Sequence, residues 1–257
     1  MPTTLSLQQA LFEYALRLGD TSLILSHRLS EWCSHAPELE EEVALMNIAL
    51  DLIGQARALL TYAGEVEDKG RDEDALAYHR DERDWRNLLL VEQPNGDFAQ
   101  TMARQFLYDA FAVEFYGALR QSRDERLAAI AAKALKEVSY HLRHSSQWVL
   151  RLGDGTDESH RRMQHGIDEL WQYTGELFRM DEVDRMLIAA GIAVDLEALR
   201  PAWNARVGDV LSEATLIRPA DAWMQDGGKL KGLHSEHLGR LLAEMQFVQR
   251  AYPGLRW

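Results

Sequence analysis

The whole chain has one cysteine, Cys33, and six prolines. A lone cysteine excludes an intrachain disulfide and a cysteine-based zinc cluster, and it reads as a small buried hydrophobe rather than a nucleophile. With so little proline and no sustained apolar–polar alternation, little or no sheet is expected, and the pattern is helical almost throughout. Cations are scarce beside acids: Lys+Arg 28 against Asp+Glu 41, a net charge of −13, argues against a nucleic-acid backbone or an anionic membrane as partner. The first twenty residues carry neither a cationic start nor a continuous apolar run, and no later stretch approaches the ~20 apolar residues that span a bilayer. No membrane association is therefore expected, and the cytoplasm is the expected location. What the chain does have is length and apolar content: 257 residues, 46% hydrophobic, are enough for one large domain over 1–257.

The helices follow from spacing. Leu11, Ala15, Leu18, Ser22, Leu25, Leu29 and Trp32 recur at four- and three-residue intervals, which predicts a first helix from about Leu7 to Trp32. Pro37 opens a second, with Glu38, Glu40, Glu41 and Glu42 near its positive end and Gly64 placed to close it. A charged stretch over 66–91 runs into the turn signal Pro94-Asn95-Gly96. A third helix is predicted over Asp97 to Gln121 and a fourth over Asp124 to Leu152. Together these predict an all-α helical bundle over about 7–152, with additional C-terminal helices over about 157–257.

Polar groups interrupt the inner stripes. The third helix reads Met102, Phe106, Asp109, Val113, Tyr116, and the fourth reads Leu127, Ile130, Ala134, Val138, His141, Ser145, Trp148. In the second helix Asp51 stands beside Ile48 and Leu52. Two carboxylates and an imidazole thus point to one interior, where they either hold a metal or satisfy one another. If the imidazole bridges both carboxylates, His141→Ala leaves buried charges unpaired and costs about 3–5 kcal/mol.

The runs ALDLIGQAR from Ala49, LLLVEQPNGDFA from Leu88, KEVSYHLRHS from Lys136 and GLHSEHLGRLLAEMQ from Gly232 carry a resemblance across nearly the whole chain. Together they resemble the C-type, structural subunits of bacterial phenylacetyl-CoA oxygenases, also called ring 1,2-phenylacetyl-CoA epoxidases. The resemblance implies a ferritin-like fold for this bundle and a structural, non-catalytic component of phenylacetate catabolism. It would pair with the ferritin-like, di-iron catalytic component of a monooxygenase complex whose reductase supplies flavin and iron–sulfur centres. It implies no cofactor and no metal in this chain, and a possible homodimer when the chain is isolated. Against the catalytic relative, the first-helix carboxylate falls at Ser22, the second-helix pair at Asp51 and Gly54, the third-helix carboxylate at Asp109 and the fourth-helix pair at Val138 and His141. Asp51, Asp109 and His141 keep ligand chemistry, while Ser22, Gly54 and Val138 do not. Glu137 lies one position from the lost carboxylate, towards the edge of the stripe. The alternative is a metal-dependent oxidoreductase with a single metal at Asp51, Asp109 and His141, although such sites ordinarily carry two histidines.

A second candidate lies near the C-terminus. His234-Ser235-Glu236-His237 reads as a small metal or acid/base site, and Lys229, Lys231, His234 and His237, in and after a glycine-rich approach, read as a contact for a partner or for a coenzyme A phosphate. The blander expectation is a surface loop with Ser235 as helix cap. Trp85, Trp148, Trp171, Trp203 and Trp223 read as core and interface filler.

Overall fold

The computed structural model describes residues 5–255. Its twelve α-helices are α1 Leu7–Ser30, α2 Leu39–Glu67, α3 Glu73–Tyr78, α4 Leu89–Glu92, α5 Phe98–Leu119, α6 Glu125–Gly153, α7 Asp157–Trp171, α8 Glu182–Ala189, α9 Leu196–Glu213, α10 Gly228–Lys231, α11 Glu236–Met245 and α12 Phe247–Ala251. No strand occurs among the described residues, and the protein is an all-α bundle of the ferritin-like type. Local chemistry sets the starts of the long helices. Ser6 and Gln9 form a reciprocal capping box at α1, and Asp97 and Asp124 accept from the first-turn amides of α5 and α6.

α1 packs along α2 and α5 along α6, and α2 also meets α6. α5 is covered on nearly every side between Ala99 and Ala112, because α7 and α9 close over the surface that the other long helices leave. The charged stretch over 66–91 resolves into α3, a short 3₁₀ turn at Glu82–Asp84 and α4. Asp20, buried in α1, holds this stretch by pairing with the Arg80 guanidinium and accepting the Arg86 amide at 2.8 Å. Arg80 also lies 4.5 Å over the ring of Trp85, so a buried charge here has both a counter-ion and an aromatic face.

Several expectations need correction. Gly64 does not close α2, which continues to Glu67 and ends at Asp68 in the left-handed region. A Cβ at Gly64 would lie 2.1 Å from the Arg71 carbonyl oxygen, so the glycine admits the returning chain. Cys33 is exposed, because it falls in the turn just after α1. Trp223 is 74% exposed, unlike Trp85, Trp171 and Trp203. Finally, α2 is long and apolar enough by length and composition to cross a membrane, and 44% of its apolar window is buried in the bundle.

Candidate functional site

His141 projects from α6 into the seam with α2 and has no exposed side-chain surface. Its Nε2–H donates to Asp51 Oδ2 at 3.0 Å, while Nδ1 has no hydrogen-bond partner. Burial pushes the imidazole pKa down, and Asp51 opposes this only in part. A neutral ring with its proton on Nε2 satisfies that geometry. Asp51 itself keeps 39% of its side chain exposed, so it stands at the edge of the bundle rather than in a common interior.

Asp109 belongs to a different set of bonds. Gln105 Nε2 donates to its Oδ1 at 2.7 Å and Ser145 Oγ to its Oδ2 at 2.8 Å. Burial pushes its carboxyl up to about 8, against the pull of Ser145 and Gln105. The expected imidazole bridge between two carboxylates is therefore not the arrangement. His141 takes one carboxylate, and Asp109 is served by an amide and a hydroxyl.

The three positions without ligand chemistry have separate surroundings. Val138 is fully buried in the core, and Ser22 is fully buried with a hydroxyl that lies among the phenols of Tyr108 and Tyr116. Gly54 faces open space. Glu137 comes closer than the sequence suggested: it accepts from Gln55 Nε2 at 2.9 Å, and Gln55 Oε1 accepts from the Tyr116 hydroxyl at 3.3 Å. Further along the seam, Glu41 accepts from Trp148 Nε1 at 2.7 Å and lies 2.8 Å from His144 Nε2. The α2/α6 seam is thus a row of short polar pairs. Among the described residues no group of three histidine, cysteine, aspartate or glutamate side chains is disposed to hold a metal. The residues present do not fit a di-iron centre: Ser22 and Val138 stand where carboxylates would be needed, and Gly54 where an imidazole would be.

The C-terminal candidates are arranged against expectation. Lys229 is buried, donates to the Leu177 carbonyl at 3.3 Å, and is pushed down to about 8 by burial despite Asp184 and Glu176. Beside it lies a cavity of about 50 Å³ walled by Tyr14, Tyr108, Phe111 and Phe115. Lys231 is exposed and His237 half-buried. His234 has no exposed side-chain surface: Nδ1 lies 2.8 Å from Glu92 Oε2 and Nε2 3.0 Å from the Trp85 carbonyl. Since a carbonyl and a carboxylate only accept, both ring nitrogens carry protons and the ring is an imidazolium. Glu92, equally buried, also accepts from Asn87 Nδ2 at 2.8 Å and the Ser235 amide at 2.6 Å. Ser235 occupies the cap position of α11, but its hydroxyl makes no capping bond. Sequence reasoning passed over Glu92, because its signal was one acid inside the apolar run LLLVEQ.

A family described as phenylacetic acid catabolic protein matches residues 2–257. A curated relative from Escherichia coli (strain K12), named as the C subunit of 1,2-phenylacetyl-CoA epoxidase, is 57% identical over 244 residues, which cover 95% of this chain and 98% of the relative. At that coverage the match runs through α1 to α12 alike, and the chain belongs to the phenylacetic acid catabolic protein family.

Proposed function

We propose that this chain is a non-catalytic structural subunit of a multicomponent 1,2-phenylacetyl-CoA epoxidase of aerobic phenylacetate catabolism, working in the cytoplasm. In this reading it pairs with a di-iron catalytic subunit and stabilises it. The iron lies in that partner, and flavin and iron–sulfur centres lie in the reductase of the assembly. The supporting observation is the dispersal of the would-be ligand set. Asp51 at the bundle edge bonds His141, Asp109 bonds Gln105 and Ser145, and Val138 sits in the apolar core. An assembly subunit without a reaction centre still has to keep a folded, specific surface, and the function then resides in that surface rather than in a pocket. The test is to purify the catalytic subunit with and without this chain. The proposal expects lower solubility, melting temperature or turnover in its absence; a catalytic subunit equally stable and equally active alone contradicts it.

A further inference from the structure

Helix α2 carries more apolar surface than the bundle covers. Leu39, Val43, Leu50 and Ile53 are 73%, 53%, 66% and 42% exposed. With half-buried Met46 they recur at four- and three-residue spacings, one continuous ridge on the outward side of the helix. Gly54 follows on that ridge, in the middle of a helix, where glycine is unfavourable. A Cβ there would meet nothing within 4 Å, so no contact inside this chain requires the glycine. Gly208 in α9 has equally open surroundings, yet no large exposed apolar residue of α9 accompanies it.

The neighbouring helix supplies a second, independent feature. The outward surface of α6 presents Lys133, Lys136, Tyr140, Arg143 and Arg151, all exposed. Lys133 lies 3.5 Å from Glu137. Arg143 and Arg151 stack 5.4 and 5.3 Å over Tyr140 and Trp148, and like Lys136 they have no carboxylate partner among the described residues. In a chain of net charge −13, a run of cations left without acids beside an uncovered apolar ridge is a local reversal of the overall balance. The acidic first turn of α2 lies at one end of the ridge, and Glu41 there is turned in towards His144 and Trp148.

We infer that the α2/α6 face seats an acidic amphipathic helix of the catalytic partner subunit. The helix's apolar stripe lies along Leu39 to Ile53, its backbone crosses closest over Gly54, and its carboxylates face Lys136 and Arg143. Apolar ridge and missing Cβ set the close approach, and the cations set orientation and encounter rate. This inference rests on the scaffold reading above, and the experiment separates the two.

Full-length wild type, Gly54→Leu, the double variant Lys136→Glu with Arg143→Glu, and the control Gly208→Leu are each titrated with purified catalytic subunit at low and high salt. The isolated chains are also melted. Gly54→Leu is expected to melt no lower than wild type and to bind at least about tenfold more weakly. The charge reversal is expected to weaken binding by about tenfold and to remove most of its salt dependence. Gly208→Leu binds as wild type does. Wild-type affinity in both test variants overturns the docking face while leaving the scaffold reading intact. If the wild-type chain itself binds no catalytic subunit, both fall. If Gly54→Leu abolishes only self-association, or only binding of the chain to phosphatidylcholine vesicles, the face belongs to a second copy or to lipid and the inference is overturned.

Discussion

His141 and His234 are both shielded from solvent, and both meet a carboxylate, Asp51 at 3.0 Å and Glu92 at 2.8 Å. Beyond that they differ in every partner. At His141 one ring nitrogen has no hydrogen bond and the carboxylate is partly in water. At His234 both ring nitrogens are bonded, and Glu92 adds bonds from Asn87 and Ser235. The first arrangement lies in the α2/α6 seam, and it is under-satisfied. The second ties the loop before α4 to the C-terminal helices, with both ring nitrogens and both carboxylate oxygens bonded. Full satisfaction marks the pair that holds the fold, and the loose pair contributes less.

The largest break in this comparison comes at Glu92. Replacing it with alanine leaves a buried imidazolium, a buried amide and a backbone donor without their acceptor, and urea unfolding should show a loss of about 3–5 kcal/mol. His141→Ala should cost only about 2 kcal/mol in the same assay, mainly through the lost volume, because Asp51 can be solvated and Asp109 keeps its own partners. That is less than the bridged arrangement would lose, and equal losses at Glu92 and His141 would end the distinction between the two sites.

The pH dependence sharpens it. Burial alone would lower the His234 pKa, but Glu92 and the Trp85 carbonyl outweigh it and hold the pKa above its ordinary value. A folded pKa raised above the unfolded one gives stability that is complete below about pH 6.5 and lost as pH rises through the folded value. Unfolding free energies measured between about pH 6 and 8 should therefore fall for wild type and fall less for His234→Gln. A profile unchanged by that substitution would mean that the ring is not charged in the folded state. The smallest effect concerns neither histidine but the open glycine beside Asp51. Gly54→Ala should raise the stability of the isolated chain by about 0.5–1 kcal/mol, since helix propensity improves and no neighbour is touched.

The long helices were legible because their signals are local. The 3.6-residue stripes and the caps Asp97 and Asp124 need no knowledge of distant chain. Gly64 was misread because its reason, the Arg71 carbonyl, arrives only when the chain folds back. Lys229 and His234 looked like surface residues in a glycine-rich loop. What buries them is tertiary: Glu92 stands 142 positions before His234, and Glu176 accepts the Lys229 amide from 53 positions away. The polar positions Asp51, Asp109 and His141 were visible as interruptions of apolar stripes, yet a stripe does not say which polar groups bond one another. Gln105, Ser145 and Glu137 decide that here.

The central claim is that the ligand set is dispersed and this protein holds no reaction centre of its own. Elemental analysis of the chain, expressed alone in iron-replete cells and purified without chelators, tests it most directly. The account predicts less than about a tenth of an iron, zinc or manganese atom per chain. About one or two metals per chain, lost when Asp109 or His141 is replaced, would contradict it.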